Sequence, residues 1–326
     1  MHVQGRIQVM ERNQNLKIYT ILVAVMAAWG LNVIATKIIV NSFMPVTITS
    51  LRILTAGAAV FVVLTFMKKV RMPSKTEFIY ILVASIFNVV CHHYFLSVGL
   101  TKTTASNAGL ILGLGPLLSA ILAAVFLGSR FHFIKMIGVL SGLAGVSFMV
   151  LDNSQGVGAV SLGDLFVFLS IFTQAGSFII IKKASKTMDP RLMTGYMLVF
   201  GSIILFFISL IQEPGGLKGL GQANQSVWVI FFASAVIATA FGHMAYNFAI
   251  GKVGVAESAI FINLSPLFSL IGAAMLLNEQ ITLAHLIGFL FIIAGVLFGS
   301  GAFEEWVNFR KKGLRLSNRY SDPPRR

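Results

Sequence analysis

The chain has 326 residues, of which 56% are hydrophobic and 11% charged, and its formal net charge is +14. A soluble domain carries about a quarter charged residues. The mean hydropathy of +0.86, with apolar blocks near the ~20 residues that cross a bilayer, excludes that class and predicts an all-α integral membrane protein.

The apolar blocks predict ten transmembrane helices, at about 18–40, 46–67, 77–98, 103–127, 133–152, 162–183, 190–212, 226–250, 255–277 and 282–302. A polar arm, residues 1–17, precedes the first block and a basic tail, 303–326, follows the last. Because the first block leads into many more, it is expected to stay as a helix and not to be cleaved as a signal peptide. The single Cys91 excludes an internal disulfide framework. Asn224-Gln225-Ser226 fits a glycosylation sequon but abuts a predicted helix, and carries little weight.

The positive charge is patterned. Of the 25 Lys and Arg, 21 fall in the arm, in loops 68–76, 128–135, 182–191 and 251–254, or in the tail. The opposite loops hold only Lys102 and Lys218, while Lys37 and Arg52 lie inside spans. That imbalance places both termini in the cytoplasm of a multi-pass cell-membrane protein. It argues against nucleic acid as a partner, and makes the lipid bilayer, with anionic lipid at the basic loops and tail, the expected one.

The chain also repeats itself. Tyr94 and Gly99 answer to Tyr246 and Gly251, and Pro116-Leu117-x-Ser119-x-Ile121-x-Ala123-Ala124 answers to Pro266-Leu267-x-Ser269-x-Ile271-x-Ala273-Ala274. The register continues through Gly138 and Gly288 to Ala144-Gly145-Val146 and Ala294-Gly295-Val296. A fainter echo lays Trp29–Lys37 on Gln174–Lys182. Residues 18–152 and 162–302 therefore read as two five-helix repeats. An odd number of spans per copy makes the second enter the membrane inverted, as in many secondary transporters whose site lies between the copies. Pro116 and Pro266 sit mid-span, where a proline removes a backbone bond and kinks the helix. Flexing points and static kinks are both open readings. Spacings such as Gly109/Gly113, Gly138/Gly142 and Gly295/Gly299 permit close helix approach.

These residues resemble the drug/metabolite transporter superfamily, in its ten-helix EamA-type branch. The likeness rests on Trp29-Gly30-x-Asn32 with Lys37, Leu51-Arg52, Pro116-Leu117, Phe126-Leu127-Gly128, Pro266-Leu267 and Leu277-Asn278-Glu279, together with the paired Ala-Gly-Val endings. It covers about residues 16–302. The family usually carries a glutamate after both the fourth and the ninth helix; here Glu279 keeps it and Ser129 stands in the first position. Membership implies export of an amino acid, metabolite or drug and leaves the cargo open.

Polar groups at membrane depth usually face a bundle interior or a water-filled path. Trp29, Asn32, Asn88, Gln174, Ser177, Tyr246 and Asn263 are such groups, and suit a small amphipathic substrate that brings polar groups of its own. Hydrogen bonding between helices is the alternative. Arg52 and Lys37 read either as a cationic patch for a carboxylate or phosphate of the cargo, or as a snorkelling Lys37 and an Arg52 satisfied by carbonyls. His92 and His93 are adjacent, diverge by about 100° on a helix and are not expected to share a site; His92 is the one taken as a substrate ligand. His92, His243 and Glu257 are the candidates for proton coupling. No metal cluster, nucleophile–base pair or Walker pattern appears, so neither catalysis nor a cofactor is expected. The sequence predicts a secondary transporter, an exporter first, with an importer or uncoupled facilitator as the alternative and a receptor or scaffold behind both.

Overall fold

In lipid every backbone N–H and C=O must be satisfied within the protein, which favours helices. The computed structural model of the chain follows that rule, with helices and no strand among the residues it describes. Those residues are 2–127, 134, 137–138, 140–142, 144–145, 161–255, 258 and 261–299. Among the described residues, seven helices are long and apolar enough to cross a membrane. They are α1 (His2–Ser42), α2 (Pro45–Phe66), α3 (Lys75–Leu100), α4 (Ala105–Phe126), α5 (Leu162–Ala184), α6 (Pro190–Gln212) and α7 (Gln225–Lys252). Two shorter apolar helices follow, α8 (Phe261–Leu277) and α9 (Leu283–Gly299). The predicted fifth span lies largely outside the described residues, as do Ser129, Glu257 and the tail. Helix α1 begins at His2, so the polar arm continues the first helix. Its Arg, Gln, Met and Glu residues are good helix formers.

Local signals set several boundaries. Ser74 and Glu77 close a capping box at the start of α3, and Thr104 and Ser161 cap α4 and α5. Asp189 caps α6 ahead of Pro190 at its first position. The prolines of the repeat start helical segments. Helix α4 is interrupted at Gly113–Leu114 and resumes at Gly115, with Pro116 in its new first turn. Helix α8 opens with a 3₁₀ turn, Phe261–Leu264, and becomes α-helical at Ser265, with Pro266 again in the first turn. A proline there has no intrahelical bond to lose.

The packing interlocks the N-terminal and C-terminal halves of the chain. The most extensive helix contacts pair α2 with α6, α1 with α8 and α3 with α5, and each crosses from one half to the other. Close approach depends on missing side chains. A Cβ on Gly30 would stand 2.5 Å from the Ser265 carbonyl oxygen, and one on Gly109 would stand 2.1 Å from Ser269 Oγ.

Two carboxylates from the C-terminal half stitch one end of the bundle. Met44 gives α2 no side-chain cap. Glu213 substitutes, accepting from the Val46 and Thr47 amides at 2.9 and 2.7 Å and from Thr47 Oγ1 at 2.7 Å. Glu279 does the same for α4, accepting from the Ala105 and Ser106 amides at 2.9 Å and from Ser106 Oγ at 2.6 Å. Negative charge at a helix N-terminus also complements the helix dipole. At the opposite end, Asp189 caps its own helix and pairs with Lys69 at 3.1 Å and Arg191 at 2.8 Å. Partial burial raises the Asp189 pKa, but hydrogen bonds from Arg191 and Lys69 outweigh it and hold the carboxyl well below the usual range.

Candidate functional site

Two helices lose α-helical regularity at the centre of the molecule. Helix α3 is π-helical over Ser85–Cys91 and α7 over Ser234–Phe241. Such segments are rare and concentrate at functional sites. Each hands its wider turn to polar partners on a helix of the opposite half. Against α7, Trp29 Nε1 donates to the Ala238 carbonyl at 2.9 Å, and Ser234 Oγ donates to Asn32 Oδ1 at 2.5 Å. Against α3, Asn88 Nδ2 donates to Ser177 Oγ at 2.7 Å and Gln174 Nε2 approaches His92 Nε2 at 3.2 Å. Trp29/Asn32 on α1 and Gln174/Ser177 on α5 are the positions paired by the faint sequence echo. The echo extends to its end: Lys37 Nζ donates to the Leu100 and Thr103 carbonyls, at 2.5 and 2.7 Å, and Lys182 Nζ to those of Ile250 and Gly251, at 3.1 and 3.3 Å.

Between the two junctions lies a cavity of about 60 Å³. Trp29, Asn32, Val33 and Thr36 of α1 line it on one side, and Ile171 and Gln174 of α5 on another. His92, His93 and Leu96 of α3 and His243 of α7 project between them, while Leu112, Ile262 and Ser265 close it. Rings dominate the wall. The Trp29 ring lies 5.0 Å from His243, His243 lies 5.7 Å from His93, and His93 lies 4.7 Å from His92. None of the lining residues is acidic. Small-molecule sites usually enclose ~300–1,000 Å³, so the cavity of this structure is smaller than a typical one.

The histidines differ in what they have left to offer. His92 Nδ1 lies 3.0 Å from the Ser170 carbonyl and His243 Nδ1 lies 3.1 Å from that of Thr239. A carbonyl only accepts, so both Nδ1 atoms carry the proton, and in the neutral ring both Nε2 atoms are acceptors. Gln174 occupies the His92 acceptor, while His243 Nε2 and both nitrogens of His93 are buried without a partner.

Behind the wall sits Arg52, 1% exposed. Its Nη1 donates to Ser234 Oγ at 3.1 Å and to Thr239 Oγ1 at 2.9 Å. Its Nε is buried with no hydrogen-bond partner. No carboxylate faces it: the ion pairs among the described residues are Lys69–Asp189, Arg71–Glu77 and Arg191–Asp189.

Of the residues expected at the site, Trp29, Asn32, His92, Gln174 and His243 come together around this cavity. Arg52, Asn88 and Tyr246 stand in the layer behind; Tyr246 is fully buried against Trp29 and Phe178, with ring centroids 5.0 and 5.3 Å away. Asn263 sits on the 3₁₀ turn beside Ile262, with Oδ1 unpartnered. Lys37 reaches neither the cavity nor Arg52's hydroxyl partners, since it closes the end of α3. One expectation is corrected. His92 and His93 do share the cavity, because it wraps the edge of α3. His92 turns to Ser170 and Gln174 on α5, while His93 turns to His243 on α7. Thr36 and Ser265 were not singled out from the sequence, where hydroxyls so often serve only their own helix.

A larger cleft of about 390 Å³ lies at the Asp189 end, bordered by Lys69, Lys186, Asp189, Arg191 and Lys252. Arg191 and Lys252 both lie over the Phe248 ring there. It is a charged recess formed by chain segments between and at the ends of helices. The smaller cavity is the one built at membrane depth from both halves.

A model of the EamA-like transporter family matches the chain twice, over residues 16–151 and 161–300. An uncharacterized transporter of Archaeoglobus fulgidus is 26% identical over 285 residues, covering 86% of this chain and 98% of its own length. The uncharacterized transporter YyaM of Bacillus subtilis is 26% identical over 295 residues, covering 89% and 96%. A solved crystal structure with 17% sequence identity has the same fold, with a TM-score of 0.63 over 86% of this chain and 94% of its own.

Proposed function

The chain belongs to the EamA-like transporter family, and from that premise we propose that it is a secondary transporter that exports a small amphipathic metabolite by alternating access between two inverted five-helix repeats. The observation that carries the reading is the paired construction of the cavity. Trp29 and Asn32 meet the π-segment of α7, while Ser177 meets that of α3 and Gln174 meets His92, the residue just after it. Two junctions of one design, each joining opposite halves around a shared cavity, let one open as the other closes.

In this reading Trp29, Asn32, His92, His93, Gln174 and His243 hold the cargo, and no bond of the cargo is made or broken. The segment breaks before Pro116 and Pro266 are the points about which the repeats tilt. Both termini lie in the cytoplasm, as the distribution of Lys and Arg requires, and the recess beside Lys186 and Lys252 faces anionic headgroups.

Comparing the culture medium of cells with and without the protein identifies the exported solute, and uptake into liposomes under imposed gradients measures its movement. A solute that accumulates outside only when the protein is present is expected. Equal media, with no flux above that of empty liposomes under either a pH or a solute gradient, would sink the transporter reading.

A further inference from the structure

Arg52 carries the one charge that the site does not explain. It lies near the middle of the Pro45–Phe66 span, 1% exposed, with no carboxylate paired to it among the described residues. Both of its hydrogen bonds leave from Nη1 and end on neutral hydroxyls, those of Ser234 and Thr239. The other edge of the guanidinium, formed by Nε and Nη2, has no hydrogen bond among the described residues, and Nε is fully buried. That edge presents two parallel N–H groups, the fork that grips a carboxylate with two bonds. A buried charge without a counter-ion is costly, and in a membrane protein it usually marks a substrate path.

The two residues whose hydroxyls hold Arg52 both connect to the cavity wall. Ser234 Oγ also donates to Asn32 Oδ1 at 2.5 Å, and the Thr239 carbonyl sits 3.1 Å from His243 Nδ1. Asn32 and His243 line the cavity. The guanidinium therefore stands one residue behind the wall, at the junction of α1 with α7 that has to loosen when the cavity opens. The wall itself offers a cation no acidic group.

Building on the transporter reading, we propose that the cargo is an organic anion whose carboxylate is taken by the Nε–Nη2 edge of Arg52 once Asn32 and Ser234 separate, while its apolar body lies among the Trp29 and histidine rings. Arg52 is then the specificity-determining residue. It selects for a negative charge, and with no acid nearby among the described residues the site rejects amines.

The test uses purified full-length protein in lipid nanodiscs and three probes of one ring and three charges: benzoate, benzamide and benzylammonium, at constant chloride. Binding is read by thermal stabilisation. Benzoate is expected to bind at least tenfold more tightly than benzamide, with benzylammonium weakest. Arg52→Lys keeps the charge and loses the fork, and should reduce that preference severalfold; Arg52→Met should abolish it while benzamide binding stays. If the Met variant does not fold, Lys carries the comparison, with Asp189→Asn, remote from the cavity, as a folded control that keeps the benzoate preference. Benzamide or benzylammonium binding as well as benzoate in the unaltered protein, no binding of any probe, or an undiminished benzoate preference in Arg52→Lys, would overturn the proposal. Counterflow of labelled benzoate in liposomes separates the two readings. Selective binding without flux keeps the anion site and counts against transport, whereas flux of all three probes alike keeps transport and removes the anion site.

Discussion

The junction of α1 with α7 and the junction of α5 with α3 occupy corresponding positions and carry different chemistry. Both bring a helix against a π-helical turn, and both carry further along a lysine that closes the end of the other junction's π-bearing helix, Lys37 at Leu100 of α3 and Lys182 at Ile250 and Gly251 of α7. One is built from an indole, an asparagine and a guanidinium. The other is built from two amides, a hydroxyl and an imidazole, with no charge at its centre. The backbone arrangement is thus held in common, while the guanidinium stands on one side only. In the proposed mechanism the matched frames serve the rocking, and the charge of the solute needs a single place.

The comparison can be broken most directly at its paired residues. Trp29→Ala removes a ring from the cavity wall and a side-chain donor to the Ala238 carbonyl. Transport should fall at least tenfold, the scale of about 1.4 kcal/mol, with protein levels in the membrane unchanged. Gln174→Ala should cost only a few-fold in the same flux assay. Equal losses would mean that both junctions recognise the cargo, and normal transport by Trp29→Ala would remove the cavity from the mechanism.

The stitched end offers a second contrast. Glu213→Ala and Glu279→Ala each leave two helix amides without their acceptor, a loss of about 1 kcal/mol by the scale of helix caps. Lower melting temperatures are expected for both, with the double variant close to additive because the two carboxylates serve different helices. A smaller effect, about 0.6 kcal/mol, is expected for Ser177→Ala, which frees Asn88 Nδ2 but leaves the cavity lining intact. Its flux should match that of the unaltered protein.

The smallest effect belongs to the opposite end. The Asp189 carboxyl is depressed by its bonds to Arg191 and Lys69, so its contribution is complete above the unfolded value of about 3.9 and is lost as pH falls below that. Between pH 5 and pH 3, the melting temperature of the unaltered protein should drop slightly more than that of Asp189→Asn. The difference corresponds to about 0.5 kcal/mol or less, since the Lys69 pair is partly exposed. An equal drop would mean that this end draws no stability from its charges.

Much of this was legible in the residue order. Apolar block length predicts the spans, and the Trp29–Lys37 echo of Gln174–Lys182 already pairs the two junctions. What was hidden depends on distance along the chain or on helix type. Nothing near Arg52 announces that its partners are hydroxyls 182 and 187 positions away. A π-helical turn leaves no periodic signature in a wholly apolar stretch, and the shared role of His92 and His93 follows from where neighbouring helices stand around α3. Lys37 was ambiguous because a snorkelling lysine and one that closes a neighbouring helix occupy the same place in the sequence. Glu279 stood out by motif alone, while Glu213, lying outside any motif, did not.

The borrowed caps have a consequence for how the protein comes into being. The Thr47 amide finds its acceptor 166 positions later and the Ala105 amide 174 positions later. Synthesis therefore delivers α2 and α4 to the bilayer with amides still unpaired at their starts, and these are satisfied only when Glu213 and Glu279 arrive. The early segments wait, inserted and unsealed, for the late ones, so a truncated product would leave those helix starts open, a mark by which quality control could recognise it.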